Sequence, residues 1–174
     1  FIGDSFVSAV GEYSEVDASY RGVDLKRRVF FANRQYFLVA DEITGDGQPH
    51  DYEWRLHGNG GGDSGGAYAR EGNLVRWTRS GAELIAYLPE DEDLGLVAVD
   101  SDTIHSFDYL EEQTHTVLRV QQRGVDARYL AVLYPRSTGA ADPVLGTAMV
   151  DGGQGVIAIL EGARDLAWVR DAGA

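Results

Sequence analysis

The chain is written in short strand-like runs, some alternating apolar and polar with a period of two, and nowhere do apolar residues hold a spacing of 3.6 over the length of a helix. The clearest case is His50-Asp51-Tyr52-Glu53-Trp54-Arg55-Leu56-His57. Here His50, Tyr52, Trp54 and Leu56 share one face, and Asp51, Glu53, Arg55 and His57 share the other. The apolar group marks the first face as the core side. Other runs come in pairs about turn-forming residues. Arg27–Phe31 and Tyr36–Asp41 flank Ala32–Gln35, and Leu74–Thr78 and Leu84–Leu88 flank Ser80-Gly81. Thr116–Val120 and Tyr129–Tyr134 flank Gly124, and Gly155–Leu160 and Leu166–Val169 flank Gly162-Ala163. β-branched and aromatic residues around such turns read as hairpins. The expected fold is therefore all-β, an antiparallel β-sandwich with little helix, and a barrel is the alternative. Val29, Phe31, Val39, Trp54, Leu56, Ile85, Leu130, Val132 and Ile157 are expected in the core. The 36–41 run is apolar on both sides, so either Phe37 or Leu38 joins them.

Length and composition bound the function. The 174 residues fit a single domain, 1–174, that can bury a sizeable core. No apolar run is long enough to span a bilayer as a helix, and the start FIGDSFVSAVGEYSE lacks the basic region of a secretory signal. Beginning at Phe1, the chain reads as a fragment or C-terminal portion of a longer protein. The absence of cysteine excludes disulfides and thiolate chemistry but leaves the compartment open. A formal net charge of -13 opposes binding to nucleic acid and anionic membranes. It also opposes an anionic polysaccharide, unless local arginines or a partner domain reverse the field.

Four segments read as exposed loops: 44–49, 58–66, 89–93 and 135–143. The second contains Gly62-Asp63-Ser64-Gly65-Gly66, which imitates the nucleophile loop of chymotrypsin-like proteases. A nucleophilic Ser64 needs a base and an orienting acid. In those proteases both come from an earlier half-barrel, for which too few residues precede Ser64. The loop also lacks the lysine of a phosphate-binding loop, with Asp63 in its place. It is expected to be a flexible, tightly turning connection. His50, His57, Asp41 and Glu53 are types that bind zinc, but their spacing matches no short motif, so no metal site is assigned. Asp41 is expected to cap a turn. A glycosidase carboxylate pair from Glu53 with Asp51 or Asp41 has no specific support. Tyr20, Arg21, Lys26, Arg27 and Arg28 form the one basic cluster, suited to a uronate or sulfate, or to salt bridges with neighbouring acids.

Residues 17–57 resemble the C-terminal β region of heparinase II/III-like polysaccharide lyases. The shared pattern is carried by Tyr20, Arg28, Asp41, His50, Trp54 and His57. The resemblance implies β-elimination on a uronate-containing polysaccharide such as a glycosaminoglycan or alginate, in a secreted or periplasmic setting. It implies Tyr20 as a catalytic group and Arg21, Arg28 and His57 as substrate contacts. It also implies an anionic polysaccharide partner and a helical toroid domain or companion chain. The family's structural zinc and the histidine-rich segment that accompanies it have no counterpart visible here; Asp4-Ser5-Phe6 is a faint echo without a preceding histidine. The expectation is a chain that walls one side of a cleft without the main catalytic groups, or else a carbohydrate-binding module using Tyr20, Trp54, Trp77 and Trp168 as a stacking platform.

Overall fold

The computed structural model describes residues 6–13, 22–89, 97–108 and 111–170. Its strands are β1 (Phe6–Tyr13), β2 (Asp24–Ala32), β3 (Tyr36–Thr44), β4 (His50–His57), β5 (Ala67–Glu71), β6 (Leu74–Arg79) and β7 (Ala82–Tyr87). They continue as β8 (Val97–Asp108), β9 (Glu111–Gly124), β10 (Ala127–Ser137), β11 (Val144–Ala148), β12 (Gly153–Leu160) and β13 (Ala163–Arg170). A 3-10 turn at Gly62–Ser64 interrupts the strands. Every pairing is antiparallel.

The strands form three sheets. A seven-stranded sheet runs β1-β2-β3-β10-β7-β6-β5, and two three-stranded sheets run β4-β9-β8 and β11-β12-β13. Alternation along β10 sets the layering. Ala127, Tyr129 and Ala131 pack with Trp54 of β4, Val75 and Trp77 of β6, and Leu118 and Val120 of β9. Leu130 and Val132, on the opposite face, pack with Leu38, Ala40 and Val156, Ala158 and Leu160 of β12. The sandwich expected from the sequence is thus present with a third layer, the large sheet being covered on each face by a small one.

Three of the expected hairpins form, and one does not. β2–β3, β6–β7 and β12–β13 pair in register. Thr116–Val120 and Tyr129–Tyr134 do not pair with each other. β9 joins β4 and β8, whereas β10 joins β3 and β7, so the chain crosses between layers after Gly124. Buried Gln122 braces the crossing by accepting a 3.0 Å bond from the Arg128 backbone N–H. The turn Asn33-Arg34 adopts positive φ at both residues (48° and 57°), which suits the twist of a tight hairpin.

Most expected core residues are in place: Val39, Trp54, Ile85, Leu130 and Val132 are buried, and Leu56 packs against the first core. Between the two options in β3, Leu38 is the buried one, and Phe37 stacks on Phe31 across β2–β3 with ring centroids 4.4 Å apart. Val29 and Phe31 are half-buried. Ile157 is also half-buried, and lies on the face opposite Val156 and Ala158, so it points away from the second core.

Asp41 does not cap a turn. It lies within β3, only 2% exposed, and ties two layers together. Arg27 of β2 donates from Nε to Oδ1 at 2.7 Å and from Nη2 to Oδ2 at 2.5 Å. Trp54 Nε1 of β4 donates to Oδ2 at 2.9 Å. A carboxylate this deep stands only if donors replace its water. Asp41→Ala should therefore cost about 2–3 kcal/mol in urea unfolding, because the Arg27 fork and the Trp54 N–H lose their acceptor. Leu166→Ala, at a side chain 53% exposed, should shift stability by less than about 0.5 kcal/mol.

Candidate functional site

The glycine-rich loop follows β4 and is strapped to the protein rather than loose. A Cβ on Gly58 would lie 2.1 Å from the Trp77 ring, and one on Gly61 (φ 78°) would lie 2.0 Å from Thr116 Oγ1. Glycine is needed here because the backbone approaches Trp77 and β9 closely. Thr116 N–H donates to Gly60 O at 3.0 Å, and Gly61 N–H to Gly66 O at 2.9 Å. Asp63 Oδ2 accepts from Thr114 N–H at 3.2 Å and from Thr114 Oγ1 at 2.9 Å. Ser64 Oγ donates to Gly61 O at 2.7 Å and accepts from Gly66 N–H at 3.4 Å. Both of its contacts are backbone, so Ser64 has the setting of a turn residue. Gly58→Ala should lower stability by about 2 kcal/mol or more through overpacking, measured by denaturant unfolding. Gly146→Ala, where nothing lies within 4 Å, is the matched control and should be close to neutral.

The outer face of β4 and β9 carries the polar residues that alternation assigned to it. Glu53 accepts from Arg119 Nε at 2.8 Å and from Gln121 Nε2 at 3.0 Å, and Arg55 closes on its other oxygen. Arg119 lowers the Glu53 carboxyl to about 2 against the opposing effect of desolvation, with Gln121 and Arg55 adding to the lowering. Asp51 holds Arg123 at 2.8 Å. At the end of β4, His57 Nδ1 lies 2.9 Å from His115 Nε2, with His115 only 7% exposed. This bond requires one ring to donate and the other to accept. His50 is separate, on the core side, with Nε2 2.8 Å from Asp46 Oδ1. This histidine holds the Asp46 carboxyl below its ordinary range, helped by the Gln48 N–H.

Of the sequence-derived site residues, Arg28 and His57 lie among the described residues, and each has its own partner. Tyr20 and Arg21 lie outside the described residues. Arg28 pairs with Glu42, Nη1 to Oε1 at 2.8 Å and Nη2 to Oε2 at 3.0 Å. With Arg27 bound to Asp41, these two members of the basic cluster have acidic partners on β3. His57 meets His115, a contact that the sequence does not advertise because the two lie 58 positions apart. Knowing that β9 pairs with β4 would have exposed it. Trp54 and Trp77 are buried, and Trp77 Nε1 donates to Thr116 O at 3.1 Å, so neither can stack on a sugar.

Structural zinc needs about four ligands. Among the described residues no group of three or more His, Cys, Asp or Glu side chains could hold a metal. The His57–His115 pair alone does not make such a site. One pH dependence follows from Glu53. A carboxyl lowered in the folded state stabilises the fold above its unfolded value, about 4.3, and loses that contribution as pH falls toward about 2. Glu53→Gln should thus be less stable than the parent at pH 7 by about 1 kcal/mol, and the gap should close by pH 2, read from urea midpoints across pH.

No protein-family model and no curated protein matches the sequence. Solved structures do. Heparan sulfate lyase HepC from Pedobacter heparinus matches with a TM-score of 0.74 at 18% identity, over 97% of this chain and 26% of that one. Heparinase III matches with a TM-score of 0.68 at 15% identity, again over 97% of this chain and 26% of that one. A heparinase III gene product matches with a TM-score of 0.65 at 15% identity and the same coverage, 97% and 26%. The chain spans about a quarter of the length of these relatives. Its antiparallel β architecture is a fold shared with the matched quarter of heparan sulfate lyase HepC and of heparinase III.

Proposed function

We propose that this chain is the β-domain of a heparinase II/III-like polysaccharide lyase, acting in β-elimination on a uronate-containing polysaccharide, with the main catalytic groups lying outside residues 1–174. The observation that carries the reading is the match to HepC, which takes in 97% of this chain but only 26% of that lyase. A helical toroid or companion chain would supply the rest of the cleft, in a secreted or periplasmic protein.

The reaction removes the proton α to the uronate carboxylate, and charge builds on that carboxylate as the 4-oxygen leaves. A base, an acid and a cation or amide to offset the charge are all needed. On the outer face of β4–β9 the arginines are already paired with acids: Arg119 and Arg55 share Glu53, and Arg123 holds Asp51. That arrangement favours a wall that positions a partner domain over a centre that stabilises charge. Missing charge stabilisation typically costs about 100–1000-fold in rate. Tyr20 is the proposed proton donor, and Arg21, Arg28 and His57 the proposed sugar contacts.

A second reading is a non-catalytic carbohydrate-binding or structural module. Trp168, 61% exposed on the outer side of β13, favours it, because an exposed indole can stack on a sugar ring.

The test follows the ultraviolet absorbance of the unsaturated uronate product on alginate, heparan sulfate, heparin and hyaluronan. Residues 1–174 should be inactive, and a longer protein containing them together with a helical toroid should be active. In that active protein Tyr20→Phe should reduce turnover more than His57→Ala. Robust turnover by residues 1–174 alone would overturn the fragment reading. Equal, small effects of the two substitutions would leave Tyr20 a structural residue.

A further inference from the structure

The loop 138–143 ends in a cluster that the lyase reading does not use. Arg136 of β10 and Arg76 of β6 lie beside Glu83 of β7, on the side of the large sheet that carries the second core. Arg136 donates from Nε to Glu83 Oε2 at 2.8 Å, and Thr78 Oγ1 donates to Glu83 Oε1 at 3.1 Å. Glu83 is thereby locked in place, its side chain only 8% exposed. Both arginines then reach one further oxygen, Asp142 Oδ1, from Arg136 Nη2 at 2.5 Å and from Arg76 Nη2 at 3.0 Å.

The members differ in how firmly they are held. The Arg136 side chain is 5% exposed and that of Asp142 is 64% exposed. Arg136 Nη1 is buried and has no acceptor among the described residues. A buried guanidinium N–H without a partner is unfavourable, so the cluster leaves part of its hydrogen-bonding capacity unmet. With Glu83 and Asp142 both ionised, the two arginines are balanced. Without Asp142 the cluster holds one uncompensated positive charge. Arg136 holds the Asp142 carboxyl below the ordinary range, so it is ionised at neutral pH.

Asp142 sits on a short tether. Thr138 fixes one end of the loop, with its N–H to Gly81 O at 3.3 Å and its Oγ1 to Arg79 O at 3.0 Å. Buried Pro143 fixes the other end, and Gly139 takes the left-handed turn between them (φ 84°), a conformation glycine adopts without strain. We infer that Arg76 and Arg136 form a carboxylate-binding site, filled in cis by Asp142, which takes a carboxylate ligand, free or borne on a uronic acid, when Asp142 withdraws. A tether of this length presents its own carboxylate at an effective concentration on the order of millimolar or higher. A single external carboxylate therefore competes poorly with the intact loop, and removing the Asp142 side chain unmasks the site.

The experiment compares the parent with Asp142→Ala, using thermal unfolding and direct titration in sodium chloride, sodium acetate and sodium glucuronate at equal ionic strength. It reads binding rather than turnover, so its outcome is independent of the lyase reading. Asp142→Ala should unfold earlier than the parent in chloride. Acetate and glucuronate should restore it saturably, at concentrations about tenfold below any effect of chloride. Asp142→Asn should show weaker restoration, because the amide still fills the space. Adding Arg76→Ala should weaken the carboxylate effect by about tenfold. Restoration by acetate and not by glucuronate would assign the site to small free carboxylates. An identical response to all three salts, or restoration unchanged by Arg76→Ala, would overturn the inference.

Discussion

Strand β10 is buried on both faces, and the rest of the molecule is arranged around that fact. Tyr129 and Ala131 face one core and Leu130 and Val132 the other, all at most 3% exposed. A strand with no solvent side needs a layer above and a layer below, because each uncovered aliphatic side chain would forgo about 1.5–3 kcal/mol. Neighbouring β3 inherits the same constraint. Its one buried acid, Asp41, is consequently matched by donors from two other strands, Arg27 of β2 and Trp54 of β4. Tyr36 solves the same problem at the far end of β3 by donating to Asp165 at 3.1 Å, which fastens β13 to the large sheet, while burial raises its phenol pKa.

Much of this was legible in the sequence. Strict alternation in 50–57 named the inward face of β4, and a run apolar on both sides, Tyr129-Leu130-Ala131-Val132, is what a doubly covered strand must look like. What alternation does not encode is which strand lies beside which. Pairing β9 with β10 across Gly124 was reasonable locally, but the short connection changes layers instead of reversing within one. The glycines of 58–62 read as looseness, whereas their cause is non-local: the indole of Trp77 and the threonines of β9 occupy the space a side chain would take. The contact between His57 and His115 was hidden for the same reason. The Arg27 and Arg28 cluster looked like an anion site because its acids, Asp41 and Glu42, lie across a hairpin rather than beside it.

Net charge and local charge tell different stories in this protein. The chain carries -13 overall, yet Glu53, Asp51 and Glu83 each sit against arginine. Arginines thus pair with acids across neighbouring strands, so the net charge understates how much of the charge is locally matched. Any approach of a polyanion to the folded domain starts against a repulsive field, so association through this surface should weaken at low salt and recover as salt screens it.

The indole rings also divide cleanly. Trp54 and Trp77 are 7% and 3% exposed, each donating its N–H within the first core, while Trp168 is 61% exposed on the outer layer. The fluorescence of this domain therefore has two separable components. A blue-shifted pair, shielded from aqueous quenchers, reports on the joint between β4, β6 and the large sheet. A single red-shifted emitter, open to quenchers, reports on whatever comes to rest against β13. The native chain carries an optical probe for each layer, and no label is needed to tell unfolding of the one from occupation of the other.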